Sequence, residues 1–467
     1  MAFKKKLYQF RPKDQKQEIE IRCSKVRKEK VVVNSVSIER DVRQMLAEKI
    51  SGTHVGLWLL VPEHLRLGSW DLLMAWTGAP SANAVEPRLA LQLVHESALC
   101  RNGIRQKRSL RLKGFETLNG LPFVATDFAV HQLLNRHTVA ESEALQLALG
   151  KVRYARGHYP GNLLLLDPHR IETWTQRNVP LNKSKKGAPT RKTIQTFFGV
   201  DGQSGQPLGC GMGSSAVTVT QATQPLVERL SAILPTEALL IGDAEHFTID
   251  LLDNLAGHNR FSFLFPAPRQ EQVLQQVIRL NYTTMWAGYA VAEWEYKLAD
   301  RDAVIRGVVQ RTGETDDTYD YKPFVTTSAL PATELMTVIS PDRWHIEEFY
   351  GAESAMGWNR ASTLNMNIRF AKLTLSMFAQ STIHQLRQKL PPDMKNWSAE
   401  STAERLFSSI DGDIRVRSDT IIVTLYNAPN YSYFKEHYEN MPKRLEAEGI
   451  DPRVPWLYNF KVDFRFK

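Results

Sequence analysis

The chain has 467 residues, 43% of them hydrophobic and 23% charged, the balance of a globular protein and not of a disordered or fibrous one. Its three cysteines, Cys23, Cys100 and Cys210, stand far apart with no Cys-x-x-Cys spacing, which excludes a disulfide scaffold, argues against a thiolate zinc site and fits a reducing cytoplasm. No apolar run is long enough for a bilayer, and the basic start Lys4-Lys5-Lys6 leads into no signal-type stretch, so a soluble protein with no membrane partner is expected.

Charge is distributed in blocks. Lys and Arg total 59 against 50 Asp and Glu, a net +9. Residues 1–30 hold eleven Lys/Arg and four Asp/Glu, while 101–113 and 177–200 carry six basic residues each and no acid. Any one such block can be a solvated face. Three of them point to a polyanion, because each neutralised phosphate releases counterions.

In chain order, residues 1–45 read as a basic arm running into a first ordered element. Residues 46–150 read mostly helical, with apolar residues at helical spacing in Val55–Leu60, Ser69–Trp76, Pro87–Leu99, Thr126–Leu134 and Ala140–Leu149. From residue 161 the texture changes. Leu163–Leu166 is a buried strand that Asp167-Pro168 should stop. Strands follow at Thr193–Val200 and Pro207–Met212. Thr223-Gln224-Pro225 should open a helix that Pro235 closes. A strand at Ala238–Ile241, a short helix and a strand at Phe261–Phe265 complete a mixed α/β sheet of the ribonuclease H-like type. Residues 267–342 read as a β-rich insertion, with strands at Ala287–Leu298, Ala303–Gln310 and Pro323–Thr327. Helix returns after Pro341, with Leu364, Ile368, Ala371, Leu375 and Phe378 forming an amphipathic stripe. The alternation from Tyr458 to Phe466 ends the chain in a half-buried strand.

Two acids stand out by position: Asp167 at the end of the first strand and Asp243 directly after the fourth, where open α/β sheets place ligands. Taken singly, such acids are more often turn or cap residues. Their hard oxygen donors suit Mg²⁺ or Mn²⁺. In Pro341–Phe349, Arg343 and Glu347 are four apart and share a helix face, a spacing that also makes a plain intrahelical ion pair. Glu348 is the competing acid, about 100° round the helix. His169, His246 and His345 lie two or three residues from these acids and read as structural or supporting groups. Gly209–Ser214 lacks the third glycine of a dinucleotide loop, and no Walker loop occurs.

The order Asp, Asp, β-rich insertion and Arg-x-x-x-Glu resembles the DDE transposases of bacterial insertion sequences. The resemblance is carried by LLLLDPHRIETW (163–174), KTIQTFFGVD (192–201), LLIGDAEHF (239–247) and DRWHIEEFY (342–350). It is nearest to the group with a Tyr-x-x-Arg-x-x-x-Glu-x-x-x-x-x-x-Lys signature, whose Tyr and Lys positions here hold Ser340 and Ser354. Arg360 or Lys372 are candidates for the phosphate contact those two residues make.

The resemblance implies DNA strand cleavage and joining by two-metal phosphoryl transfer, with Asp167, Asp243 and Glu347 as catalytic acids and metal ligands and Arg343 against phosphate. It implies two Mg²⁺ or Mn²⁺ ions. Lys183, Lys185, Lys186, Arg191 and Lys192 would track the DNA backbone, and Lys107, Arg108 and Arg111 would bind the terminal inverted repeats. Trp286 and Trp294 are candidates for stacking on a flipped base. The partners implied are double-stranded terminal-repeat and target DNA and a second copy of the chain, in the cytoplasm with the nucleoid. The expected division is a basic arm and helical DNA-binding region (1–150), a catalytic domain in two parts (151–266 and 343–400), the insertion (267–342) and a C-terminal α/β region (401–467). The alternatives are a catalytically inactive DNA-binding derivative of such an enzyme and a ribonuclease H-like nuclease.

Overall fold

The structure, a computed structural model, describes residues 35–52, 54–101, 110, 112–173, 176, 192–214, 217–235, 237–257, 261–297, 304–357 and 363–467. The basic arm of residues 1–30, Lys107, Arg108, Arg111, Lys183, Lys185, Lys186, Arg191 and Arg360 lie outside them. Among the described residues no helix is long and apolar enough to cross a membrane.

The larger sheet is built on β2 (Leu163–Glu172), β3 (Thr193–Asp201), β4 (Pro207–Ser214), β5 (Leu239–Gly242) and β6 (Ser262–Pro266), in the spatial order β4-β3-β2-β5-β6. The β2–β3 and β3–β4 pairs are antiparallel, and β2–β5 and β5–β6 are parallel. That is the mixed sheet expected of a ribonuclease H-like fold. The insertion does not form a sheet of its own. Its strands β7 (Thr283–Trp286), β8 (Tyr289–Lys297), β9 (Val304–Thr312) and β10 (Asp320–Thr326) join through β10, which pairs antiparallel with β6, to make one nine-stranded sheet.

Two local expectations are corrected. Pro168 does not stop the first strand, which runs to Glu172. On one side β2 pairs with β3 over its whole later half, including Pro168 with Phe197, while its other neighbour β5 ends opposite Leu166. From there β2 has an open edge, where a residue without an N–H is tolerated. Pro225 likewise does not open its helix. The helix starts at Val219 behind a capping box, with Thr218 accepting from the Gln221 N–H and Gln221 reaching back, and Pro225 sits inside it. Gly199 lets this helix pack closely on β3, since a Cβ there would meet Leu230 at 2.6 Å.

The 22-residue helix Met366–Arg387 is buried on nearly every face, not on one stripe. Helices Glu86–Ala98 and Val139–Ala155 pack against it from one side and β4 touches it from another. Its buried hydroxyls are satisfied by back-bonding: Thr374 donates to the Phe370 carbonyl at 2.9 Å and Ser381 to that of Met377 at 2.6 Å. Gln146 then ties three elements, donating to Thr374 Oγ1 at 2.8 Å and accepting from the Cys210 N–H at 3.0 Å.

A second sheet holds β1 (Ile50–Gly52), β11 (Gly412–Arg417), β12 (Thr420–Leu425), β14 (Phe460–Phe466) and β13 (Arg453–Val454), in the order β1-β11-β12-β14-β13. β1 comes from the N-terminal region, and residues from Ile38 onward and the C-terminal strand share one hydrophobic core with the Met366–Arg387 helix. Helix Val139–Ala155 runs across residue 150.

Within that core His64 and His95 face each other, Nε2 to Nε2 at 3.1 Å, and Asn119 Oδ1 accepts from His95 Nδ1 at 2.7 Å. Burial holds both imidazoles below their ordinary value, His95 at about 4. The unfolded chain therefore binds more protons, and stability is expected to fall as pH drops from about 6.5 towards 4. The slope of melting temperature against pH over that window measures it, and His95→Gln should flatten the slope.

Candidate active site

The register of the sheet brings two of the expected acids together. In the parallel β2–β5 pair Leu166 lies opposite Gly242, so the next residue on each strand is an aspartate, Asp167 and Asp243. Asp167 stands inside β2, at the point where β5 ends, and not at the end of its own strand.

Asp243 is held firmly. It caps the short turn Ala244–His246 by accepting from the Glu245 N–H at 3.0 Å, and His246 Nδ1 donates to its Oδ1 at 2.8 Å. Burial acts to raise its pKa, but these hydrogen bonds and the nearby Arg343 outweigh that and leave the carboxyl below its usual value. His246 is itself buried, stacked on Phe265. Gly242 makes room for that ring, since a Cβ there would lie 2.5 Å from it.

Asp167 is the opposite case. Burial first, and then the negative charge of Asp243, raise it to about 7; Arg343 acts against this, and Glu347 and Glu245 add to it. Arg343 and Glu347 are thus near enough to act on the buried acid. Helix Trp344–Glu353, which carries Glu347, packs on β2. Tyr350, one turn on from Glu347, donates its hydroxyl to the Asp167 carbonyl at 3.2 Å and stacks on His169 at 4.5 Å. The chain reaches this helix irregularly, through a π turn at Leu335–Ile339 and a 3₁₀ turn at Ser340–Arg343 that lies beside β5.

Glu347 reaches Asp167 through its charge. Its Oε1 accepts from Arg343 Nη2 at 3.0 Å. Among the described residues no three His, Cys, Asp or Glu side chains already stand close enough to hold one ion. Glu348 lines a separate cavity towards the β3–β4 turn. His345 Nδ1 is bonded to the Gly202 carbonyl, a structural tie.

Sequence reasoning passed over Glu245, whose charge reaches Asp167 and whose carboxylate pairs with Arg170, and Tyr350. No spacing rule marks either of them; they matter because of which strand end they fold against. Of the two tryptophans, Trp294 is buried, with its indole N–H donating to the Phe324 carbonyl, so it serves the sheet. Trp286 is exposed on β7 and stacks on Tyr289 at 4.3 Å. Of the basic residues expected to track DNA, Lys192 alone is described, half-buried next to β3.

The raised Asp167 has a consequence for the metal-free protein. Its native carboxyl keeps a proton up to about pH 7, whereas the unfolded chain releases it in the usual carboxylate range. Stability should therefore fall as pH rises through that window. In EDTA, Asp167→Asn should melt above the unsubstituted protein at pH 8 and level with it at pH 4. A variant that melts lower at pH 8 would contradict the assignment.

The mixed sheet thus carries an acid pair at its β2–β5 junction, with an arginine and a glutamate on a helix beside it. Residues 159–381, a little under half of the chain, match the family model described as transposase DDE domain. Those residues are therefore similar to a transposase DDE domain. Among solved structures it is similar to a cryo-EM structure of the piggyBac transposase synaptic complex with hairpin DNA, at 12% identity and a TM-score of 0.42, covering 86% of this chain and 84% of that one. No curated protein matches the chain in sequence.

Proposed function

We propose that the protein cuts and joins DNA strands at the ends of an insertion sequence, with Asp167, Asp243 and Glu347 as the acids of its site. The observation that carries this reading is the parallel register that sets Asp167 beside Asp243 at the edge vacated by β5. The donor set suits the hard divalent ions that DDE chemistry employs. Asp167 and Asp243 offer carboxylate oxygens, and burial first and then the charge of Asp243 raise Asp167, a shift that a bound cation would oppose. When bound, two Mg²⁺ or Mn²⁺ ions supply the charge that activates an oxygen nucleophile and stabilises the leaving oxygen at phosphorus.

The chain's own groups do the rest. Asp167 gives up its proton to bind, Asp243 is pre-oriented by His246, and Glu347 completes the set by leaving Arg343. Arg343, once released, pairs with the phosphate under attack. No Ser or Tyr nucleophile is needed. Lys183, Lys185, Lys186, Arg191 and Lys192 would follow the backbone, while residues 1–150, through Lys107, Arg108 and Arg111, would bind the terminal repeats. Trp286 remains exposed for base stacking. An element has two ends, so the working unit is a dimer on DNA.

One observation favours a second reading, a non-catalytic DNA-binding derivative: Glu347 is engaged in an intrahelical ion pair with Arg343. The two separate in one experiment. The full chain is incubated with duplex spanning the junction between the coding region's flanking repeat and neighbouring DNA, with Mg²⁺ or with EDTA. A metal-dependent break leaving a 3′-hydroxyl at the junction is expected; binding with no cleavage in Mg²⁺ or Mn²⁺ would overturn the catalytic reading.

A further inference from the structure

The helix that carries Glu347 is reached through changes of winding. Residues 332–353 are helical throughout: α at Ala332–Glu334, π at Leu335–Ile339, 3₁₀ at Ser340–Arg343 and α again from Trp344. A π turn absorbs one extra residue, so returning it to α winding would rotate everything after it by about 100°. Glu347 would then point to the side that Glu348 now takes. The winding of Leu335–Ile339 therefore decides where Glu347 is aimed.

The turn is not held by its own backbone alone. The Ser340 N–H reaches back five residues to the Leu335 carbonyl. The next donor in that pattern would be residue 341, and Pro341 has no N–H to give the Met336 carbonyl. Tyr289 supplies a donor from β8, its hydroxyl reaching the Met336 carbonyl at 2.9 Å. Trp286 stacks on the same ring at 4.3 Å and 12°, which confines the ring to one plane.

A second grip lies on the same face of the sheet. β8 and β9 pair Tyr289 with Thr312 and Glu295 with Arg306, so Tyr289 and Arg306 project from one side. The Arg306 guanidinium donates to the Ser328 and Leu330 carbonyls, at 2.5 and 2.8 Å, and to Glu293. One face of the insertion thus holds the segment leading to Arg343 and Glu347 at residues 328, 330 and 336.

We propose that Tyr289 is a positioning residue for strand cutting: through the Met336 carbonyl it fixes the turn that sets the direction of Arg343 and Glu347. This role rests on the one proposed for Glu347, and it gives the insertion a task besides any contact with DNA.

Tyr289→Phe in the full chain is the test, since the ring and its stack on Trp286 stay and only the hydroxyl goes. Tyr282→Phe is the matched control. That hydroxyl also donates to a backbone carbonyl, of Val277 at 2.8 Å, which lies outside the turn. Each variant loses one hydrogen bond, so the two should lose similar stability. Hydrogen–deuterium exchange, without DNA or metal, should quicken across residues 335–350 in Tyr289→Phe and stay unchanged there in Tyr282→Phe. Metal-dependent cleavage at saturating duplex should fall by about tenfold in Tyr289→Phe with DNA affinity unchanged, and keep the parent's rate in Tyr282→Phe. Unchanged exchange in Tyr289→Phe, or equal cleavage losses in the two variants, would overturn the proposal and leave the cutting activity standing. Absence of cleavage in the parent would instead remove the role of Glu347, and this proposal with it.

Discussion

Asp167→Ala, Asp243→Ala and Glu347→Ala are each expected to lower metal-dependent strand cleavage by about a thousandfold or more while leaving DNA affinity within a few-fold of the parent. The asymmetry follows from the division of charge. Affinity for duplex comes from Lys and Arg against phosphate, and each acid removed takes a negative charge away from that interface. On the proposed reading, cleavage instead depends on holding positive charge at the scissile phosphate, the role it gives to Asp167, Asp243 and Glu347. Parallel gel-shift and cleavage assays separate the two quantities. Glu348→Ala is the discriminating control: its carboxylate opens on the cavity by the β3–β4 turn, so cleavage should persist. Loss of cleavage in Glu348→Ala with retention in Glu347→Ala would transfer the third acidic role by one position.

The largest expected effect on stability is at Glu63. This carboxylate is fully buried, and it pairs with Arg66 at 2.9 Å and Lys389 at 3.0 Å while accepting from the Tyr438 hydroxyl at 3.2 Å. It thereby joins the helix Val61–Leu67 to the end of the Met366–Arg387 helix and to the C-terminal helix Tyr431–Tyr438. Glu63→Ala leaves a partly buried lysine without its partner and half-satisfies a buried arginine, a change that costs about 3 kcal/mol. Arg66 keeps Glu448, at 2.7 Å, which limits the loss but does not remove it. Urea denaturation measures the difference. The exposed pair Arg453–Asp451 supplies the contrast, since Asp451→Ala should change stability by less than about 1 kcal/mol. Similar losses in the two variants would contradict the buried network.

Deleting the first 150 residues is expected to unfold the remainder, not to release an independent catalytic body. β1 pairs with β11, and the helix Glu86–Ala98 covers the Met366–Arg387 helix, so the cut would expose the shared core. Tests of end recognition therefore belong on the full chain.

The sequence by itself determined the elements and the chemistry they offer. The apolar run at Leu163–Leu166, the runs around Phe197 and Leu240, and the alternation across β8 and β9 mark strands because a two-residue period or a continuous apolar run has few other uses. Arg343 and Glu347 are legible as neighbours because a helix repeats every 3.6 residues. What crosses between elements was not legible. That Pro168 lies within β2 depends on where β5 ends, and β5 is some seventy residues further along the chain. That the insertion extends the β2–β6 sheet depends on β10 choosing β6, and that Glu348 opens on a cavity lined by neither aspartate depends on the β3–β4 turn lying behind its helix. Local spacing reports only what a residue's own turn or strand imposes. The shift of Asp167 to about 7, the seat of Glu63 and the Tyr289 bond to Met336 come from burial and from partners brought together across the fold. Only the tertiary structure decides those, because desolvation and Coulomb energy depend on distance in space and not on separation along the chain.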